Sequence, residues 1–83
     1  MYRVETDEWV QRQVDQLPAA ALSSYAEMRC PLEVKSWSGE PAHAGNPDGA
    51  VRTARFGHGL GLVTYLILDD QRRVDVLQVL WLG

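Results

Sequence analysis

Basic side chains with catalytic potential gather in one short stretch of this 83-residue sequence. Arg52 and Arg55 lie within four positions of each other with no acidic residue nearby, and His58 follows three positions later. A guanidinium group can bind a phosphate or a carboxylate through paired hydrogen bonds, and a histidine can act as a general base near neutral pH. We therefore take Arg52, Arg55 and His58 as candidate catalytic residues.

The spacing of the two arginines leaves two interpretations open. On a strand, side chains three positions apart point to opposite faces unless a bulge intervenes. Arg52 and Arg55 are either solvated charges, or one of them reaches a phosphate or a carboxylate of a partner. In the first interpretation they pair with acidic residues of neighbouring strands, which are Asp69, Asp70 and Asp75.

Arg72, Arg73 and Tyr65 are candidates for contact with RNA or with a protein partner. Arg72 and Arg73 follow two acidic residues at a predicted hairpin tip, where the alternative is plain surface charge. Tyr65 lies in an apolar strand, so it either belongs to the core or stacks on a base from an open sheet surface. Trp81 is predicted to be a packing residue or an interface anchor.

No metal site and no cofactor is predicted. The sequence has no His-Glu-x-x-His motif, and its two histidines, His43 and His58, are fifteen positions apart in predicted loops. The glycines of residues 58–61 lie between strands, where they permit a turn. The single cysteine, Cys30, has no partner for an internal disulfide and is predicted to fill a gap in the packing.

Composition and charge favour a small cytoplasmic protein. The chain is 46% hydrophobic and 23% charged, and its length fits one domain over residues 1–83. We expect a cytoplasmic location and no membrane association, since no signal peptide, long apolar run or disulfide is present. The net charge of −3 argues against strong autonomous nucleic-acid binding, although residues 51–83 hold four basic and three acidic side chains.

The first half of the chain predicts a short strand and two helices. Residues 2–5 alternate apolar and polar side chains, as a strand does. Thr6 is the predicted cap of a helix over residues 7–16. A second helix is predicted over residues 18–29, and Pro31 helps to end it. The predicted apolar stripe of the first helix consists of Trp9, Val10, Val14 and Leu17.

The second half of the chain predicts a sheet. Residues 36–50 are dense in turn formers, and Trp37 is expected to anchor this long loop to the domain. Three segments then have the apolar patterns of strands, over residues 51–56, 62–68 and 74–82. Polar turns between them predict an antiparallel meander. The predicted fold is therefore α+β, with the order β-α-α-β-β-β and an α-hairpin on one face of the sheet.

The element order and several short motifs resemble the RelE/ParE toxin superfamily, in particular a subgroup of actinobacterial RelE-like proteins. The resemblance covers nearly the whole chain. Its motifs are Leu17-Pro18, Trp37-x-Gly39-x-Pro41, Asn46-Pro47-Asp48, Arg52, Phe56-Gly57, the strands of residues 62–68 and 74–79, and the closing Trp-Leu-Gly.

The resemblance implies a toxin of a type II toxin–antitoxin system that a protein antitoxin neutralises. RelE-type members cut messenger RNA in the ribosome, whereas ParE-type members inhibit DNA gyrase. RelE-type cleavage relies on basic residues of the sheet face and on basic and aromatic groups near the C-terminus. Such groups can stabilise charge on the phosphate and activate the ribose 2′-OH.

The sequence departs from this family pattern at two places. Leu62 stands where the family often has an arginine, and the sequence ends at Gly83, so we expect the C-terminal catalytic segment to be missing. The leading hypothesis is a toxin-like protein with weakened or lost mRNA cleavage that binds an antitoxin. The alternatives are an active ribosome-dependent mRNA interferase (an endoribonuclease), a ParE-like gyrase inhibitor and a non-toxic interaction module. An exposed edge at Trp81 would support a homodimer.

Overall fold

Two helices and five strands make up the described part of the chain, which is residues 1–43, 45–46 and 48–83 of the computed structural model. Pro47 of the Asn-Pro-Asp motif lies outside these residues. Short 3₁₀ turns follow α2 and β4. The predicted α+β class and the predicted order are confirmed, with one short strand (β2) added inside the predicted loop. The elements are β1 (Arg3–Thr6), α1 (Glu8–Asp15), α2 (Ala19–Val34), β2 (Glu40–Pro41), β3 (Val51–Phe56), β4 (Gly61–Leu68) and β5 (Arg73–Trp81).

The strands form a single sheet in the order β1-β5-β4-β3-β2. Strands β3, β4 and β5 are the antiparallel meander that the sequence predicts. Strand β1 pairs with β5 in parallel, with Val4 opposite Val74, so the complete sheet is mixed. A parallel pair requires a long connection, and here both helices and three strands separate its members in the chain.

The core lies between the helices and one face of the sheet. Alternate residues of β4 are buried on this face, and the residues between them are half-buried on the other face, here called the open face. Both helices contribute to the same cluster as the buried side chains of the sheet. The buried core consists of Val4, Val10, Val14, Ala21, Tyr25, Leu32, Phe56, Val63, Tyr65, Ile67, Val74, Val76 and Val79.

The first helix differs from the prediction at its start and in its apolar stripe. Asp7, and not Thr6, is the cap, because its side chain accepts a hydrogen bond from the Val10 N–H at 2.8 Å. Thr6 is instead the last residue of β1. The sequence pattern places Trp9 in the apolar stripe that faces the core, but Trp9 is 62% exposed. The buried stripe of this helix contains Val10 and Val14, which are one turn apart.

The second helix continues through Pro31 to Val34, so the prediction that Pro31 helps to end it is wrong. A proline inside a helix removes one donor from the backbone ladder. Tertiary contacts support the turn that follows: Leu32 is 2% exposed, and the Tyr2 N–H donates to the Glu33 carbonyl oxygen at 2.8 Å. No described helix has the length and apolar character needed to cross a membrane.

Candidate functional site

Arg52 lies on the helix side of the sheet, where it pairs with Tyr65 across β3 and β4. The residue is 9% exposed. Its Nε donates to the Gly49 carbonyl oxygen at 3.0 Å, and its Nη1 donates to the Gly39 carbonyl oxygen at 3.0 Å. The guanidinium therefore holds the backbone on both sides of β2, at Gly39 before this strand and at Gly49 after it. Arg52, a candidate catalytic residue, is therefore a buried side chain that holds the loop backbone in place.

Trp37 and Tyr65 surround this buried cation. The Arg52 Cζ lies 5.0 Å from the centroid of the Trp37 ring, a cation–π contact that anchors the loop as predicted. Tyr65 is 1% exposed, and its hydroxyl donates to the Ser36 carbonyl oxygen at 2.7 Å. Burial raises the pKa of the Tyr65 phenol, and the Arg52 charge partly offsets this effect. Tyr65 thus belongs to the core, and its ring has no open face on which a base could stack.

Gly39 explains the Trp-x-Gly-x-Pro motif in physical terms. A methyl group at this position would collide with the Tyr65 hydroxyl and would lie 2.9 Å from the Thr53 carbonyl oxygen. Two positions later, Pro41 pairs with Arg52 in the short ladder between β2 and β3. Residues 36–41, here called the strap, can therefore lie directly over Arg52 and Tyr65.

Arg55 and His58 lie at one end of the sheet. Arg55 pairs with Leu62, which places its side chain on the open face, opposite to that of Arg52. The spacing of three residues predicts this separation. His58 is exposed in the turn between β3 and β4, where its φ angle is 60°. The structure thus brings Arg55 and His58 to the same end of the sheet and separates both from the buried Arg52.

Arg72 and Arg73 lie at the opposite end of the sheet. Arg73 pairs with Leu68, and the six-residue step from Leu62 to Leu68 along β4 corresponds to about 20 Å. The Arg73 guanidinium binds both carboxylate oxygens of Asp75, at 2.8 and 3.2 Å. Arg72 lies over the Tyr2 ring, 5.7 Å from its centroid. These two arginines therefore do not share a site with Arg55.

A groove of about 490 Å³ lies between α2 and the end of β3. Its apolar lining includes Met28, Leu32, Ala54 and Phe56. Its charged or titratable lining residues are Glu27, Lys35, Arg55, His58 and Tyr65. The predicted helix over residues 18–29 includes the first part of this wall, and the part from Pro31 onward lies beyond its predicted end. The available signal is the helical spacing of the lining residues, which are Ser24, Glu27, Met28, Pro31 and Leu32 on α2 and Lys35 directly after its end.

Groups suited to metal binding do not converge in the described residues. There, no three His, Cys, Asp or Glu side chains come close enough to hold an ion. Cys30 is exposed on α2, so the prediction that it fills a gap in the packing is wrong. Trp81 stacks on Phe56, with ring centroids 5.9 Å apart, which agrees with the predicted packing role.

The fold is that of a small α+β protein with an α-hairpin on one face of a mixed sheet. Comparison with solved structures identifies proteins that share this fold. The isolated E. coli RelE toxin matches with a TM-score of 0.78 at 10% identity, over 100% of this chain and 86% of that chain. The intact E. coli RelBE toxin–antitoxin complex contains a chain that matches with a TM-score of 0.78 at 11% identity, over 95% and 94% of the two chains.

A third match has higher sequence identity. The RelBE2 toxin–antitoxin complex from Mycobacterium tuberculosis contains a chain with a TM-score of 0.70 at 26% identity, over 96% of each chain. The protein therefore has a RelE-like fold, as its motifs predict. No protein-family model matches the chain, and no curated protein matches it either.

Proposed function

We propose that this protein is the toxin-like component of a type II toxin–antitoxin system, that it binds a protein antitoxin, and that its mRNA-cleaving activity is weakened or lost. The observation that carries the proposal is the RelE-like fold, which extends over the whole chain. The E. coli and M. tuberculosis complexes named above each contain a similar chain together with an antitoxin. This arrangement supports an antitoxin as the partner of the present chain.

The composition of the open face supports weakened cleavage. RNA cleavage by side chains alone needs cationic groups around the phosphate and a base near the 2′-OH. Residues that pair across neighbouring strands form a row on the open face. In the row of Arg55, the next residues are Leu62 on β4 and Leu80 on β5, so the cation has apolar neighbours across the sheet. The next row consists of Glu40, Thr53, Thr64 and Gln78, which adds one acid and no cation. Across these described rows, Arg55 has no second cation beside it.

An active ribosome-dependent mRNA interferase is the second candidate. It is favoured by the exposure of Arg55 and His58 at one end of the sheet, where a guanidinium and an imidazole are both accessible. In this mechanism Arg55 would bind the phosphate and His58 would act as the base. Arg52 would contribute by holding the strap, since its guanidinium is bound to the Gly39 and Gly49 carbonyl oxygens.

Inducible expression in a bacterial host tests the proposal. We expect the wild-type chain to leave growth and cellular mRNA intact, and we expect the product of a small adjacent gene to copurify with it. Growth arrest that Arg55→Ala abolishes and that the matched control Arg12→Ala preserves would favour the interferase. Arg12 is a suitable control because it is exposed on α1 and pairs with Glu8.

Two further outcomes contradict the proposal in different ways. Arrest with intact mRNA and with blocked DNA supercoiling in vitro would identify a gyrase inhibitor. Normal growth, combined with failure of every adjacent gene product to bind the purified chain, would instead favour an interaction module outside toxin–antitoxin systems.

A further inference from the structure

We propose that the groove between α2 and β3 binds a small carboxylate with an aliphatic tail of medium length, such as a short fatty acid. The inference does not depend on the proposed function, because it concerns this chain alone and a small molecule. The volume of the groove, about 490 Å³, lies within the range typical of small-molecule sites. Its lining combines an apolar floor with a few polar groups, which is the usual composition of such sites.

The chain itself bounds the groove at both ends. Gly39 of the strap lines one end, where its carbonyl oxygen accepts from Arg52. Gly57 and His58 line the other end, directly after β3. The four-residue step from Arg52 to Phe56 corresponds to about 13 Å along a strand. A space of this length suits an extended chain of several methylene groups, whereas a partner helix of several turns would extend past both ends.

The floor between the two ends is apolar. Met28 and Leu32 are one turn apart on α2, and Ala54 and Phe56 are two positions apart on β3, so each pair lies on one face of its element. Met28 and Ala54 are half-buried, whereas Leu32 and Phe56 are 2% and 6% exposed. Transfer of methylene groups from water onto such a surface is favourable. The floor therefore suits an aliphatic tail.

The strap end of the groove is its positive end. A Cβ atom at Gly57 would lie 3.9 Å from the Ser24 Cβ, so the early part of α2 lies at the turn end. Glu27 follows one turn later, whereas Lys35 comes directly after α2 and adjoins the strap. The Arg52 guanidinium lies under the strap and adds its charge to that of Lys35. We therefore expect the carboxylate at the strap end and the tail toward the turn.

Lys35 is available to a ligand. Its side chain is exposed, and within the described residues the three ion pairs lie on β1, α1 and β5, so Lys35 has no carboxylate partner there. The C-terminus of α2 contributes a partial charge of about −0.5 at this end, which the full charges of Lys35 and Arg52 exceed. In the lining, Lys35 and Arg55 exceed the single acid Glu27 by one charge, which matches a monoanionic carboxylate.

Titration of the ¹⁵N-labelled chain with octanoate tests the inference. We expect the amide signals of Leu32, Gly39, Ala54 and Gly57 to shift in a saturable way, while those of β1 at the opposite edge of the sheet stay unchanged. Octylamine has a similar tail and a positive head group, and butyrate has the same head group and a shorter tail. Each of them should bind about tenfold or more weakly than octanoate.

Two substitutions separate the head-group contact from the tail contact. Lys35→Gln removes the cation and should weaken octanoate binding about threefold or more without weakening octylamine binding. Arg12→Gln is the matched control, because Arg12 is exposed on α1 and pairs with Glu8, and it should leave both affinities unchanged. Ala54→Leu fills the floor and should weaken octanoate and octylamine equally, by about tenfold or more.

Three results would overturn the inference. The first is equal affinity of the wild type for octanoate and octylamine, or signal shifts confined to the open face. The second is normal octanoate affinity in Lys35→Gln. The third is a dimer that sediments without ligand, protects the groove amides from exchange and does not bind octanoate, since a second copy would then be the occupant. If Ala54→Leu does not fold, the comparison of octanoate with butyrate on the wild type tests the tail contact.

Discussion

The guanidinium of Arg52 lies over the indole ring of Trp37, with its Cζ 5.0 Å from the ring centroid, and this contact fastens the strap to β3. The same guanidinium donates to the carbonyl oxygens of Gly39 and Gly49. The cation is thus satisfied by backbone dipoles and an aromatic face on the helix side of the sheet. Of the two nearby arginines, only Arg55 is left exposed to meet a substrate or a partner.

Replacement of Arg52 by lysine should therefore destabilise the fold. An ammonium group cannot reproduce the planar fork that binds two carbonyl oxygens and stacks on Trp37. We expect Arg52→Lys to lower the free energy of unfolding by about 2 kcal/mol, measured by urea titration. Arg55→Lys is the matched control on the same strand, and it should change this free energy by no more than about 0.5 kcal/mol. Equal effects of the two substitutions would contradict the structural role of Arg52.

Gly39 and Tyr65 should be energetically coupled. Gly39→Ala places a methyl group against the Tyr65 hydroxyl, and we expect it to cost about 2 kcal/mol in stability. Tyr65→Phe removes the hydroxyl and its hydrogen bond to the Ser36 carbonyl oxygen, at a cost of about 1 kcal/mol. Because the phenylalanine variant also makes space for the methyl group, the double variant should lose less than the sum. Simple additivity in the double-mutant cycle would argue against this contact.

The hydroxyl of Ser36 should be dispensable for stability. Ser36 is 1% exposed, and within the described residues its Oγ has no hydrogen-bond partner. Removal of an unsatisfied buried hydroxyl should raise the free energy of unfolding, so we expect Ser36→Ala to gain about 1 kcal/mol. Ser38→Ala is the control, since the Ser38 Oγ donates to the Lys35 carbonyl oxygen at 2.6 Å. A loss of stability in Ser36→Ala would mean that this hydroxyl has a partner.

Asp69 should make stability depend on acidic pH. Its carboxylate accepts hydrogen bonds from the Tyr2 hydroxyl and the Trp37 Nε1, and these contacts lower the pKa of Asp69. A carboxyl whose pKa is lower in the folded state adds stability above its unfolded pKa and loses that stability as pH falls through the folded pKa. The wild type should therefore exceed Asp69→Asn in stability at neutral pH, and the difference should shrink below about pH 4.

Urea unfolding of both chains across this pH range measures the effect of Asp69. Tyr2→Phe removes the donor that contributes most to the lower pKa. In a Tyr2→Phe background the pH-dependent part of the difference should therefore become smaller. A difference between wild type and Asp69→Asn that stays constant from neutral to acidic pH would show that the carboxylate charge is not involved.

The sequence predicts the parts of this fold that depend on the spacing of apolar and polar side chains along single segments. A nearly continuous apolar run predicts the strand that contains Tyr65, although only one face of that strand is fully buried and the other is half-buried. The alternation of side chains along a strand predicts that Arg52 and Arg55 lie on opposite faces. The polar turns between residues 51 and 82 predict the antiparallel meander. The short motifs around Trp37 and Gly39 predict the RelE-like fold through their resemblance to that family, and the structure adds a physical reason for the glycine, since a methyl group at position 39 would collide with the Tyr65 hydroxyl.

Only the tertiary structure decided which face of the sheet is covered and where the exposed chemistry lies. The alternation of side chains along a strand predicts that Arg52 and Arg55 point to opposite faces. The burial of Arg52, however, depends on the strap and on Gly49, which contact its side chain only in the folded chain. Helix α2 likewise passes Pro31 because Leu32 is buried against the sheet, which outweighs one missing backbone donor. The groove beside β3 depends on the same effect, because the part of α2 after Pro31 forms one of its walls. Contacts between segments distant in sequence stabilise this part of the helix despite the local tendency of proline to end a helix.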